Sequence, residues 1–131
     1  MQFRISMAAA AAFAVLGFAS QAMAQDAEAG EKTFLKCRAC HQVGETAKNS
    51  VGPQLNGLIG RHSGSVESYN YSEANKNSGL TWDEATFKNY IKNPRAKVPG
   101  TKMVFAGIQN ENEIDNLTAY LKQFGTDGKK K

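Results

Sequence analysis

The sequence predicts an all-α domain built from three main helices and one or two short ones. Three segments carry apolar residues at helical intervals behind a residue that can cap them. No segment alternates apolar and polar residues as a half-buried strand does. Glycine-rich and proline-rich stretches separate the helical ones, and 131 residues suffice for one domain but not two.

The first 24 residues stand outside that domain. From Ile5 to Ala19 the chain is almost entirely apolar, with Arg4 its only nearby charge. It closes on Ala22-Met23-Ala24, a small-x-small cleavage pattern. The apolar run is about 15 residues, shorter than the ~20 that a membrane-spanning helix needs. Residues 1–24 are therefore expected to be a cleaved signal peptide and 25–131 the exported domain.

In that domain Asp26 can cap a first helix, on which Gly30, Phe34, Cys37 and His41 share one face. A short helix is expected around Ser72 to Asn77, ended by Gly79. Thr81-Trp82-Asp83-Glu84 matches a capping box, with Phe87, Tyr90 and Ile91 on one face until Asn93-Pro94 stops the helix. Asn110 and Glu113 open the last helix, whose stripe is Ile114, Leu117, Leu121 and Phe124, with Gly125 just past its end. The long loops Val51 to Gly64 and Pro94 to Gly107 are expected to wrap round something. Gly125 to Lys131 is expected to be frayed and solvated.

Composition narrows the function. The chain is 41% hydrophobic and 21% charged, which excludes fibrous and wholly disordered proteins. Its net charge of +4 is far from the lysine density of a nucleic-acid binder. Once the apolar leader is removed the core is thin, and a large apolar cofactor is one way to complete it.

Cys37-Arg38-Ala39-Cys40-His41 supplies that cofactor. It is the C-x-x-C-H pattern of covalent c-type haem attachment. Cysteines three apart on a helical turn share a face, so both sulfurs can form thioethers to one porphyrin. The histidine that follows then lies beneath the ring, where it can bind iron. Two rivals use the same cysteines. A thioredoxin-like redox pair needs a strand–helix alternation that is missing here. A zinc site would have to draw on Cys37, Cys40, His41 and His62, and adjacent Cys40 and His41 share one tetrahedral ion poorly.

The candidate for the sixth iron position is Met103. Met1, Met7 and Met23 leave with the leader, so Met103 is the only thioether that remains, in the loop Pro99-Gly100-Thr101-Lys102-Met103. A lone methionine is commonly a core filler, but an irregular loop is an unusual place for one. His62, in Arg61-His62-Ser63-Gly64, reads as a surface residue in a polar turn.

With these residues the chain resembles class I cytochrome c, closest to the mitochondrial form and the short bacterial cytochromes c2. The likeness is carried by Cys37–His41, Gly52-Pro53-Gln54-Leu55, Gly57-Leu58-Ile59-Gly60-Arg61, Tyr71, Ala74-Asn75-Lys76-Asn77, Thr81-Trp82, Asn93-Pro94, Pro99–Met103 and Ala119-Tyr120-Leu121-Lys122. It spans essentially all of the domain. The resemblance implies the cytochrome c fold, with the N- and C-terminal helices crossing where Gly30 and Phe34 meet Leu117 and Tyr120. It implies one haem c bound through Cys37 and Cys40, with His41 and Met103 as iron ligands. Pro53 would accept from the His41 ring N–H, and Arg61, Tyr71 and Trp82 would hydrogen-bond a haem propionate. Tyr90 would lie near the Met103 sulfur, Thr101 would help close that loop, and Asn75 would join a polar network beneath the haem.

The function so implied is that of a periplasmic one-electron carrier, a monomer with no membrane span and no catalytic residue. It would run from a cytochrome bc1-type complex to a terminal oxidase or a photosynthetic reaction centre. Lys36, Lys48 and Lys102 match the family's lysine ring at the haem edge. Arg95 replaces one of its lysines, and Ser50, Ala96, Gln109 and Asn110 replace others. A haem peroxidase or a gas-binding haem protein is the alternative, and it requires a labile sixth ligand. A domain docked permanently in one larger complex is a third.

Overall fold

Asp26 opens α1 (Ala27–Phe34) by accepting from the backbone N–H groups of Glu28 and Ala29, two of the donors that a helix start leaves unpaired. The computed structural model describes residues 25–131, so the signal-peptide expectation lies outside the described residues. The helix is shorter than its apolar spacing suggests. After Phe34 the bonds tighten: Leu35, Lys36 and Cys37 donate to carbonyls three residues back. Cys37 to His41 therefore sit in a succession of turns continuing the axis, and not on α1 itself.

Ser72 caps α2 (Glu73–Lys76) through Asn75 N–H, and Gly79 follows at φ +68°. α3 (Glu84–Lys92) starts two residues later than the capping box proposed. Asp83, and not Thr81, accepts from Thr86 N–H, at 2.8 Å. Thr81 is occupied elsewhere: its backbone pairs with His62, and its hydroxyl lies 2.9 Å from His62 Nδ1. His62 is an exposed residue, as its polar turn suggests. Asn93 ends α3 but also caps a further short helix, α4 (Pro94–Lys97), with Pro94 in the first turn where its missing N–H costs nothing.

Asn110 caps α5 (Glu111–Lys122) through Glu113 N–H. Phe124 lies beyond the end of α5 and is still buried. The segment after it is folded, contrary to the frayed end that its lysines suggested. Phe124 pairs with Lys130, Gly125 N–H donates to Lys129 O at 3.0 Å, and Lys131 N–H donates to Gln123 O at 2.8 Å. Lysine side chains face water along this hook while its backbone is satisfied internally.

α1 packs on α5, and α5 also packs on α3. The first contact is close because Gly30 has no side chain: a Cβ there would lie 1.9 Å from the Asn116 carbonyl oxygen. Phe34 then stacks obliquely on Tyr120, ring centres 5.4 Å apart. Ile114 and Leu117 are fully buried in the same seam. Lys88–Asp115, Lys122–Glu84 and Lys92–Glu111 bridge α3 and α5 on the outside. Exposed pairs of this kind contribute ~0–1 kcal/mol each, so the apolar seam holds the helices together. Among the described residues there is no strand, only isolated bridges.

Candidate haem site

The turns after α1 aim three side chains into one hollow. Phe34 O accepts from both Cys37 and Arg38 N–H, and Cys37 O accepts from both Cys40 and His41 N–H. That winding brings Cys37, Cys40 and His41 to the wall of a cavity of about 360 Å³. Met103 lines the same cavity, with Leu55, Leu58, Trp82 and Phe87 among the apolar walls and Arg61, Tyr71 and Asn75 among the polar ones. The cavity reaches Leu117 and Leu121 of α5, so the hollow is part of the core.

His41 is held in one tautomer. Its Nδ1 lies 2.8 Å from the Pro53 carbonyl oxygen, to which it donates, and this leaves the Nε2 lone pair for a metal. Gly52 lies flat against the ring: a Cβ there would come within 2.3 Å of His41 Cε1. Burial lowers the His41 pKa below the ordinary histidine value; the Pro53 bond opposes this and the Arg61 charge reinforces it. A neutral imidazole is the form that binds iron.

Met103 is held from two sides. Tyr90 donates its hydroxyl to the Met103 sulfur at 3.1 Å, and Met103 N–H donates to Thr101 Oγ1 at 3.2 Å. Thr101 Oγ1 also accepts from the Asn75 amide at 3.4 Å. Burial pushes the Tyr90 phenol up to about 12, so it stays a donor at any physiological pH. Trp82 packs on Tyr90 with ring centres 4.7 Å apart.

Arg61, Tyr71 and Trp82 all reach the cavity wall. Arg61 Nη1 is engaged by the carbonyls of Gln54 and Asn56, at 3.0 and 3.1 Å. Tyr71 Oη accepts from Val66 N–H at 3.1 Å, which leaves its own hydrogen to donate. The three proposed edge lysines differ in their surroundings. Lys36 forms a 2.7 Å ion pair with Glu113, Lys102 reaches the Asn70 carbonyl and lies over the Tyr69 ring, and Lys48 is exposed.

Sequence reasoning missed several residues around the cavity. Tyr69 donates to Val51 O at 2.7 Å, and Asn49 ties Gln54 N–H to Glu67 O. Polar and aromatic loop residues are common, so only their spatial partners reveal these roles. Val51 and Val104, 71% and 82% exposed, line the cavity too and present apolar surface beside it.

The rival chemistries fit less well. Burial pushes the Cys37 thiol up to about 11, the reverse of the lowered pKa of a redox-active thiol. Among the described residues no group of three or more His, Cys, Asp or Glu could hold a metal ion. A haem fits: two thiols for its vinyl groups, an imidazole nitrogen and a thioether for its iron, and an apolar hollow for its ring.

Comparison with known proteins agrees with this geometry. Residues 27–125 match the family model described as cytochrome c. The chain is 68% identical to cytochrome c2 of Rhodoplanes tepidamans over 107 residues, which cover 82% of this chain and all of that one. It is 67% identical to cytochrome c-550 of Nitrobacter winogradskyi, covering 81% of this chain and 97% of that one. Among solved structures, cytochrome cH from Methylobacterium extorquens superposes with a TM-score of 0.71 at 49% identity, covering 75% of this chain and 98% of that one. The chain belongs to the cytochrome c family, close to the bacterial cytochromes c2 and c-550: an electron carrier rather than an enzyme, with one haem c bound covalently through Cys37 and Cys40.

Proposed function

We propose that His41 and Met103 are the two residues that would ligate the haem iron, and that the protein works as a periplasmic shuttle between membrane redox complexes. The observation that carries this reading is the pairing of both side chains on one cavity, each oriented by its own hydrogen bond, to Pro53 and from Tyr90. The haem supplies the one-electron chemistry. The chain's part is to keep both ligands in place in either redox state and to exclude water from the apolar hollow. A methionine sulfur and apolar burial favour the reduced form. The sulfur-to-iron charge-transfer band of the ferric holoprotein tests the assignment. Its absence, with ready binding of carbon monoxide on reduction, would hand the site to the peroxidase or gas-binding reading.

The leader supports export. Removing 24 of 131 residues leaves 107, the full aligned length of the Rhodoplanes relative. The exported protein should begin at Gln25, and an uncleaved N-terminus would sink this part of the reading. No described helix is long and apolar enough to cross a membrane.

As donor and acceptor we propose a bc1-type complex and a terminal oxidase or photosynthetic reaction centre, met through the lysine-bearing edge. Association with an acidic oxidase site should slow as salt rises and the Debye length shrinks below ~10 Å. Lys48→Gln should slow it more than Lys36→Gln, because Glu113 already offsets the Lys36 charge. Stopped-flow rates independent of salt would remove charge steering from the account.

A further inference from the structure

We propose that Asn56 is a positioning residue for the His41–Pro53 contact, with its side-chain amide serving as a rung of the loop that carries Pro53 and the C-terminal hook backing it. The inference rests on the ligand reading of His41 given above.

The chain leaves His41, runs outward past Gly44, and returns through Gly52 to Asn56. Two backbone bonds tie the outgoing and returning limbs: Gly52 N–H to Cys40 O at 2.8 Å, and Leu55 N–H to Gln42 O at 2.9 Å. At Gly44 the partner across the loop is a side chain. Asn56 Oδ1 accepts from Gly44 N–H at 2.9 Å, and Asn56 Nδ2 donates to Gly44 O at 2.9 Å. A carboxamide presents a donor and an acceptor side by side, as a peptide group does, and so closes the ladder.

The rest of Asn56 is equally committed. Its N–H donates to Gln54 Oε1 at 2.7 Å, and its carbonyl accepts from Arg61 at 3.1 Å. The residue is buried, at 7% exposure. Pro53 therefore sits on a limb pinned at Gly52, Leu55 and Asn56, and its carbonyl has little freedom to leave the His41 ring.

The hook closes the far side. Gly44 holds φ +113°, a conformation that favours glycine, and Gly128 lies against it so closely that a Cβ there would be 2.2 Å from Gly44 O. Gly57 N–H donates to Phe124 O at 3.1 Å, and a Cβ on Gly57 would meet Thr126 Cγ2 at 2.7 Å. Asn56 and Gly128 thus grip the Gly44 peptide from two sides. Asp at 56 would set a charged oxygen against the Gly44 carbonyl, and Leu would leave both Gly44 groups without the partner.

Holoprotein variants Asn56→Asp and Gly128→Val test this against the wild type, by proton NMR of the His41 ring N–H and by redox titration. In both variants that N–H should exchange with solvent about tenfold faster, the scale of one lost hydrogen bond. The reduction potential should rise, because an imidazole less polarised by Pro53 donates less charge to the metal. Variants that lose stability but keep wild-type exchange and potential overturn the proposal. If Asn56→Asp yields no holoprotein, native-state exchange in the wild type decides: Gly44 N–H, the Asn56 amide and the His41 ring N–H should share one opening. A His41 N–H that exchanges only on global unfolding, long after Gly44 opens, overturns it as well. Ring-current-shifted imidazole resonances in the wild type separate the two readings, for their absence removes the His41 assignment and this inference with it.

Discussion

Met103→Ala is expected to convert the reduced protein from one that excludes carbon monoxide into one that binds it readily. Residues 25–131 hold no other methionine, so no second thioether of that stretch can take over. Lys102, the next residue in reach along the chain, is held by the Asn70 carbonyl and the Tyr69 ring, which leaves the vacated position to water at neutral pH. The reduction potential should fall by on the order of 0.1 V, a modest part of the ~0.8 V that axial ligands span. Peroxidase activity should rise with access to the metal. The change also strands the buried Tyr90 hydroxyl, which now donates to sulfur at 3.1 Å. An orphaned buried donor costs ~1–3 kcal/mol. Adding Tyr90→Phe should recover part of that loss in denaturant titrations without restoring the potential. Wild-type protein that binds carbon monoxide as readily as the variant does would remove Met103 from the metal.

The double change Cys37→Ser, Cys40→Ser should abolish covalent haem and leave a largely unfolded chain. Here a magnitude decides between a local and a global effect. At ~24 cal/mol per Å³ for a closed dry cavity, a hollow of about 360 Å³ left unfilled costs at most ~9 kcal/mol, less where water enters beside the exposed Val51 and Val104. That is comparable with the ~5–15 kcal/mol that holds an entire domain together. The hollow reaches α5 through Leu117 and Leu121, so its collapse reaches the seam between the terminal helices. Far-ultraviolet circular dichroism should show most of the helix signal lost. A variant that keeps its helices without haem, or haem that stays with the denatured variant, would contradict this account.

Much of the site was legible in the chain because its chemistry is local. Two thiols and an imidazole must reach one flat ring from neighbouring turns, and residues at C-x-x-C-H spacing do this within five consecutive positions. Asp26, Ser72 and Asn110 announced their helices because capping is a bond between near neighbours. The family resemblance then gave expectations for Pro53, Thr101 and Tyr90, whose partners the spacing alone does not reveal.

What local pattern could not decide was which of two eligible groups takes a given partner. Thr81 and Asp83 are both good caps, and Asp83 has the role because Thr81 pairs with His62 across the fold. Lys36 reads as a free edge charge until Glu113 is found beside it, 77 positions away. Asn56 looks like one turn asparagine among several, and the lysine-rich end looks solvated, until the Gly44 peptide appears between them. The sequence determined the approximate places of α1, α2, α3 and α5 and the haem-binding motif, since those follow from residue type and short spacing. The tertiary structure alone decided the hydrogen-bond partners of the loops and the closure of the C-terminal hook. Such bonds form only when distant segments are held together by a buried core, and their free energies depend on desolvation that no short stretch of chain contains.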